Sequence, residues 1–264
     1  MDELAIESVN LTKIFYPTKN INQLIVNLLG KSSPVLAVNN VSLQIRRGEL
    51  FVLMGPNGAG KTTLIKMFAG LILPTSGTVM VNGYDIVKDD MQVKSSIGLL
   101  TSEERSFYWR LTGRENLFFF ATLYGLFGEK LENRVDYLAG LLQIKSLDTR
   151  FQEYSAGMKQ RLAIARSLLN DPQAIFMDEP MKNLDPLAAE SLRNFIKNEL
   201  IGKQKKTILF CTHNLNEAAA LGTCIAIMDK GIIKACGDLE GLRRKAGLSG
   251  TADINEVFKH YVDN

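Results

Sequence analysis

The residues best suited to chemistry form the run GPNGAGKTT, which fits the pattern G-x-x-x-x-G-K-[ST] in full. It lies between the apolar strand ELFVLM and the helix KTTLIKMFAG. Glycines let such a phosphate-binding loop (P-loop) curl so that its N–H groups point at phosphate oxygens. Lys61 supplies charge toward the β- and γ-phosphates, and the Thr62 hydroxyl is suited to bind Mg²⁺. We therefore predict a nucleoside triphosphate site, rather than a Gly-rich turn of no function, formed by Gly55, Pro56, Asn57, Gly58, Ala59, Gly60, Lys61, Thr62 and Thr63.

Two carboxylates follow a second apolar run in AIFMDEP, residues 174–180. We expect this strand to lie beside the P-loop strand, which would bring Asp178 to the Mg²⁺ shell. Glu179 points differently and can polarise a water in line with the γ-phosphate. The competing interpretation is a simple helix cap, since acidic residues are common at strand ends.

His213 follows the next predicted strand in FCTHNLNEA and is one of only two histidines in the chain. Its position at the carboxyl end of that strand predicts a contact with the γ-phosphate. The alternative is a surface or capping histidine. Together with the acidic pair, it completes a candidate hydrolytic site of Glu179 and His213.

Apolar strands alternate with helical segments along most of the chain, which predicts a mostly parallel sheet. The first fifty residues instead alternate apolar and polar positions, which is typical of antiparallel strands. We therefore predict an α/β fold: a P-loop NTPase core with a mostly parallel sheet, an N-terminal antiparallel β subdomain and an inserted α-helical subdomain at about 103–170. A single domain is expected over 1–237, followed by a short tail over 238–264.

The composition excludes several classes of protein. The net charge of +3 argues against nucleic acid as the main partner. The three cysteines fit no zinc spacing, and we interpret them as small buried residues in a reducing compartment. The N-terminus lacks the pattern of a signal peptide, and the most apolar run, LFFFATLYGLF, is too short to cross a bilayer.

The segment EYSAGMKQRLAIARSLL distinguishes this chain from other P-loop proteins. Ser155, Ala156 and Gly157 begin a helix whose N-terminus is a second anion site. A second site is redundant for one nucleotide in a monomer, but it is useful if another copy closes over the γ-phosphate. YSAGM resembles the signature of ABC transporter ATP-binding subunits, in the form common in export-type members. The order of P-loop, signature, acidic strand, NLDP and histidine matches that family over nearly the whole chain.

The resemblance implies a head-to-tail dimer of ATPase subunits, with two ATP molecules between P-loop and signature. It also implies a transmembrane permease on another chain, and a peripheral location on the cytoplasmic face of the cell membrane. Asp185 in NLDP would take the family's D-loop role at the dimer seam. Phe15 or Tyr16 matches the aromatic that stacks on adenine, although either could be an ordinary strand aromatic.

The chain departs from the family pattern at several positions. The signature has Tyr154 for Leu, Ala156 for Gly and Met158 for Gln, and the D-loop reads MKNLDP where T-S-G is more common before LDP. Alignment of SIGLLTSEER puts Ser102 at the family's Q-loop glutamine; Glu103 or a water could take its place. This leaves the metal ligand at the Q-loop unassigned.

The segment TSEERSFYWRLTGREN, residues 101–116, is rich in aromatic and basic side chains. It begins where the family's Q-loop enters the helical subdomain, a region that receives the permease. Phe107, Tyr108 and Trp109 are therefore predicted to form a docking surface. The alternative is local packing beneath the helical subdomain.

The resemblance as a whole implies an ATPase that drives export through a separate permease. The short segment after KACG resembles the tail of export-type subunits. A soluble ABC-type ATPase acting on ribosomes or nucleic acid is the alternative. Such proteins usually carry two cassettes, coiled-coil insertions or basic tails. A generic P-loop kinase would have no use for the signature helix.

Overall fold

The computed structural model describes residues 4–17, 33–101 and 107–263. Two sheets and a set of helices make up this part of the chain. Ser102 and Glu103, the two candidates at the Q-loop position, lie outside the described residues, as does most of the loop between the first two strands.

The N-terminal sheet is antiparallel, as the alternating pattern predicts, with its strands in the order β2-β1-β4-β5. Apolar side chains on one face are buried, while polar ones on the other face are exposed. The strands of this sheet are β1 (Leu4–Phe15), β2 (Val35–Arg46), β4 (Ser76–Val81) and β5 (Tyr84–Asp85).

The central sheet has the order β10-β9-β3-β8-β7-β6 and is parallel except for β10, which pairs antiparallel with β9. Strands β3, β7 and β8 are buried along their whole length, which explains why they read as apolar runs. Its strands are β3 (Leu50–Met54), β6 (Ile97–Leu100), β7 (Ala174–Asp178), β8 (Thr207–Thr212), β9 (Cys224–Asp229) and β10 (Ile232–Gly237). This confirms the predicted α/β fold class.

The acidic strand β7 was expected beside the P-loop strand β3, but another strand separates them. Strand β8 lies between β3 and β7, so the acidic strand does not lie beside the P-loop strand, and that prediction was wrong. Alternation of strands and helices predicts a parallel sheet but carries no information on which strands become neighbours. Asp178 nevertheless reaches the P-loop helix, because its side chain accepts a hydrogen bond from Thr62 in the first turn of that helix.

The helical subdomain contains α3 (Gly113–Leu123), α4 (Gly128–Leu141) and α5 (Ala156–Ser167), with a 3₁₀ turn at Phe151–Glu153. A capping box of Thr112 and Glu115 begins α3. The other helices are α1 (Lys61–Phe68), α2 (Asp90–Ser96), α6 (Pro186–Asn194) with wider π-type turns at Phe195–Lys203, α7 (Leu215–Leu221), α8 (Leu239–Lys245) and α9 (Ile254–Val262). Within the described ranges, no helix combines the length and apolar character needed to cross a membrane.

Two hydrophobic clusters lie on opposite faces of the central sheet. One packs the helical subdomain and α6 against the sheet, and the other joins α1 and the N-terminal sheet. Helices α8 and α9 of the predicted tail contribute Leu242, Ile254 and Val257 to the first cluster, where all three are buried. The C-terminal segment thus packs as part of the domain's core.

Candidate nucleotide site and signature helix

The P-loop curls directly after the buried strand β3. Gly60 has φ 105°, and a Cβ there would lie 2.3 Å from the carbonyl oxygen of Ala37. A Cβ on Gly55 would lie 2.1 Å from the carbonyl oxygen of Met228. Both positions therefore require glycine, because strands β2 and β9 press against the loop.

Lys61 lies within this loop. Its side chain is buried, and its ammonium donates hydrogen bonds to the carbonyl oxygens of Gly55 at 2.7 Å and Pro56 at 3.1 Å. These bonds hold a positive charge within the loop, where it is suited to meet a phosphate.

Thr62 and Asp178 meet across the sheet. The hydroxyl of Thr62 donates to Oδ2 of Asp178 at 2.8 Å. Oδ1 of Asp178 is buried and has no hydrogen-bond partner among the described residues. Burial raises the pKa of Asp178, an effect partly opposed by the hydrogen bond from Thr62. A free carboxylate oxygen beside a hydroxyl is a donor set that fits Mg²⁺.

Glu179 and His213 form a pair beside this carboxylate. Glu179 has φ 52°, unusual for a residue other than glycine, and its N–H donates to the carbonyl oxygen of Cys211. Oε1 of Glu179 lies 2.8 Å from Nδ1 of His213. The His213 side chain is 50% exposed, against 17% for Glu179. The structure thus brings together the two residues predicted for hydrolysis, in direct contact with each other.

The backbone around His213 is held by hydrogen bonds of Thr212 and Glu217, two residues that the sequence analysis did not single out. The hydroxyl of Thr212 donates to Oε2 of Glu217 at 2.7 Å and accepts from the N–H of Asn214. Asn214 also caps α7. Burial raises the pKa of Glu217. The capping pattern N-x-x-E at 214–217 was the available signal for this arrangement.

The signature helix α5 presents an open N-terminus. Ser155 caps it by accepting from the N–H of Met158 at 3.3 Å, and both Ser155 and Ala156 are exposed, while Gly157 is half-buried. The amide of Gln160 donates to the carbonyl oxygen of Pro180, which ties this helix to the turn after Glu179. Three N-terminal residues are therefore accessible to a further anion.

The unusual Tyr154 is accommodated by its surroundings. Its ring is buried, and its hydroxyl donates to the carbonyl oxygen of Ser146 at 2.6 Å. A Cβ at Gly113 would lie 2.1 Å from that hydroxyl oxygen, so glycine there makes room for the larger side chain. Tyr154 thus fills a core position where the family more often has Leu.

The D-loop departures also have local explanations. Asp185 is exposed and caps α6 by accepting from the N–H of Ala188 at 2.9 Å. Met181 is buried in the core, and Asn183 has φ 65°, a conformation that asparagine tolerates better than most residues. Asn183 can therefore replace the glycine of the more common T-S-G.

The candidate adenine-stacking residues lie at the exposed end of β1. Phe15 pairs with Val35, and the ammonium of Lys13 lies 5.2 Å from its ring centroid. Tyr16 follows and is also exposed. Both rings are accessible to a flat ligand.

The aromatic segment divides into a buried and an exposed part. Phe107 is only 7% exposed and stacks on Phe151 at a centroid distance of 4.7 Å, and the Arg166 guanidinium lies over the Phe107 ring. The prediction that Phe107 belongs to a docking surface was wrong, because its ring completes the core of the helical subdomain. Tyr108 and Trp109 are exposed, by 50% and 56% respectively.

A buried amide holds this segment in place. Oδ1 of Asn116 accepts from the N–H of Tyr108 at 2.8 Å. Its Nδ2 donates to the carbonyl oxygens of Tyr108, Leu111 and Thr112. The exposed aromatics are therefore presented from a fixed backbone.

Comparison with known proteins agrees with this geometry. The family described as ABC transporter matches residues 38–182. The ABC transporter ATP-binding protein NatA of Bacillus subtilis is 37% identical over 229 residues, which cover 86% of this chain and 91% of that protein. ABC transporter A family member 7 of Arabidopsis thaliana is 37% identical over 97% of this chain. The matched region is 26% of that longer protein, so the chain spans about a quarter of its length.

Solved structures give the same result. An ATP-binding subunit of an ABC transporter superposes with a TM-score of 0.76 at 28% identity, covering 96% of this chain and 98% of that one. A dimeric ATP-binding cassette in a post-hydrolysis state bound to ADP and Pi superposes with a TM-score of 0.75 at 25% identity, covering 89% and 98%. The chain therefore belongs to the ABC transporter family, as an ATP-binding subunit that hydrolyses ATP.

Proposed function

We propose that this subunit powers export through a separate transmembrane permease, working as a head-to-tail dimer on the cytoplasmic face of the cell membrane. The observation that carries the proposal is the open N-terminus of α5. Ser155 and Ala156 are exposed there, and the P-loop already supplies one complete phosphate site. A second anion site in the same chain serves a nucleotide held by a second copy.

Different residues bind different parts of the nucleotide. The P-loop backbone, from Gly55 to Thr63, and the Lys61 ammonium hold the phosphates, while Phe15 or Tyr16 stacks on adenine. Thr62 and Asp178 would hold Mg²⁺, which when bound neutralises charge on the β- and γ-phosphates. Asp178 stays close to Thr62 because their hydrogen bond spans the gap from α1 to β7.

Hydrolysis rests on the pair of Glu179 and His213. Glu179 orients and polarises the attacking water, and His213 steadies the γ-phosphate. Their 2.8 Å contact sets the direction of both side chains before substrate arrives. The hydrogen bonds from Thr212 to Glu217 and from Asn214 to Thr212 fix the backbone that carries His213.

The decisive test of this assignment is Glu179→Gln. The amide keeps the size of the side chain but cannot polarise water as a carboxylate does, so we expect ATP binding to persist while turnover falls on the order of 10²-fold or more. Glu190→Gln, at an exposed carboxylate on α6, is the matched control and should behave as the unaltered protein. Near-normal hydrolysis by the Glu179 variant would refute the role.

The dimer is tested by its dependence on nucleotide. Because the closing contacts run through ATP, the Glu179→Gln protein should sediment as a monomer without nucleotide and as a dimer with ATP. Asp185 would lie at the seam. A tight dimer in the absence of nucleotide would contradict the sandwich arrangement.

Permease docking is assigned to Tyr108 and Trp109. Both are exposed, and Asn116 fixes the backbone that presents them. Trp109→Ala should abolish transport in reconstituted vesicles with the permease and leave the basal ATPase intact. Tyr137→Ala, which removes an exposed aromatic from α4, is the control and should transport normally. Loss of ATP binding in the Trp109 variant would show a structural role instead.

The export direction is supported by the form of the signature, YSAGM, which resembles that of export-type members. Vesicles of opposite orientation distinguish the two directions: ATP added outside inside-out vesicles should drive cargo into them.

Co-fractionation with membranes that is lost when the permease is deleted supports the transporter. Membrane-independent association with ribosomes would favour the soluble alternative.

A further inference from the structure

Two of the three cysteines face each other at the edge of the central sheet. Cys224 begins β9 and Cys236 lies near the end of β10. Cys236 is opposite Ala226, so its side chain lies on the same face as that of Cys224, one diagonal step away. The two Sγ atoms are 3.8 Å apart, and both side chains are half-buried rather than sealed in the core. Only Cys211 matches the interpretation of the cysteines as buried apolar residues.

We propose that Cys224 and Cys236 are a modification site, at which a peroxide forms a reversible disulfide between β9 and β10. Two observations support such a site. The sulfur atoms are already neighbours, and a small oxidant can reach them from solvent.

The position of Lys245 beside Cys236 favours Cys236 as the attacking thiol. The contact with the Cys224 thiol lowers the pKa of Cys236, and the nearby Lys245 ammonium acts in the same direction, while burial and Glu49 oppose them. The same contact, together with burial, raises the pKa of Cys224. Lys245 is held beside Cys236 because its ammonium donates to the Cys236 carbonyl oxygen at 3.2 Å.

The reaction proceeds in two steps. The Cys236 thiolate attacks one peroxide oxygen, the O–O bond breaks, and the sulfur becomes a sulfenic acid while the other oxygen leaves as water after taking up a proton. The Cys224 sulfur then attacks the Cys236 sulfur, the S–S bond forms, the S–O bond breaks, and the hydroxyl leaves as a second water. In total the two thiols lose two electrons and two protons, and hydrogen peroxide accepts them.

The position of the disulfide predicts which properties of the protein change on oxidation. Bond formation would shorten the distance between the two Sγ atoms from 3.8 Å to ~2.05 Å. The bond would tie the start of β9 to the end of β10, from which α8 and α9 continue. The nucleotide site lies at the other end of β9, where Met228 contacts Gly55 and Gly60. Oxidation should therefore stabilise the fold and spare ATP hydrolysis.

The experiment treats the purified full-length protein with hydrogen peroxide under native conditions. The intact mass should fall by about 2 Da, and dithiothreitol should restore it. Alkylation should count one free thiol in place of three, and peptide mapping should identify a Cys224–Cys236 link with Cys211 still reduced. The melting temperature should rise by on the order of 5 °C, as a short closed loop predicts, with basal ATPase unchanged.

Two variants complete the test. Cys224→Ala and Cys236→Ala, each checked for folding by its basal ATPase, should both lose the mass decrease and the rise in melting temperature. The proposal is overturned if peroxide adds oxygen to Cys236 without forming the link. It is also overturned if the link appears only in unfolded protein, or if the product is a dimer joined through disulfides.

Discussion

Asn116→Ala is the perturbation that best tests how the aromatic segment is positioned. Asn116 is fully buried, and its side chain makes four hydrogen bonds to the backbone of residues 108–112. Removal of the amide does not leave all four groups unpaired. The carbonyl oxygens of Tyr108 and Leu111 keep backbone N–H donors in Leu111 and Phe151 respectively, and that of Thr112 keeps the Asn116 N–H.

The group that loses its partner is the N–H of Tyr108. Loss of this part-buried hydrogen bond costs ~0.5–1.5 kcal/mol, and the cavity left by the buried amide adds to this. We therefore expect the free energy of unfolding to fall by about 2 kcal/mol. At the ~2–4 °C per kcal/mol typical of domains of this size, the melting temperature should drop by about 4–8 °C.

Chemical denaturation followed by circular dichroism measures the loss, and amide hydrogen exchange locates it. The Tyr108 amide should lose its protection in the Asn116 variant. Asn133→Ala, at an exposed asparagine on α4, is the matched control and should change stability by less than ~0.5 kcal/mol. If Asn116→Ala cost no more than this control and the Tyr108 amide stayed protected, the segment would be held by Phe107 packing alone.

Three further predictions concern the P-loop, the signature and a surface ion pair. Gly60→Ala should weaken ATP binding by more than ~10-fold in a fluorescent-nucleotide titration. Gly60 has φ 105°, and a Cβ there would lie 2.3 Å from the carbonyl oxygen of Ala37. Unchanged affinity would contradict the glycine requirement. Tyr154→Phe should cost ~1 kcal/mol in denaturant unfolding through loss of the hydrogen bond to Ser146, with ATP affinity unaltered; a loss of affinity instead would show that the hydroxyl serves the nucleotide site. The pKa of Asp171 is lowered by its hydrogen bond from Lys206, so this carboxylate adds stability above its ordinary pKa that is lost as pH falls through the lowered value. Asp171→Asn should therefore be less stable than the unaltered protein at neutral pH and equally stable in strong acid, and a pH-independent difference would refute the ion-pair explanation.

The sequence by itself determined the class of fold and where the candidate phosphate site lies. Few local structures accommodate an apolar strand followed by a glycine-rich turn and by Lys61 at the start of a helix. Backbone geometry and the charge of a phosphate ligand both restrict such a segment. The signature helix and its serine cap were equally readable, since capping depends on residues three or four apart.

Contacts between distant parts of the chain were decided only by the tertiary structure. The position of β8 between β3 and β7 depends on how the crossover helices pack, which periodicity does not encode. The burial of Phe107 depends on Phe151 and Arg166, more than forty residues away, so the aromatic run alone could not show which ring faces solvent. The meeting of Cys224 with Cys236 depends on the register of β9 with β10, which a shift of one residue would destroy. Features carried by consecutive residues were thus predictable, and contacts assembled across the fold were decided by the tertiary structure.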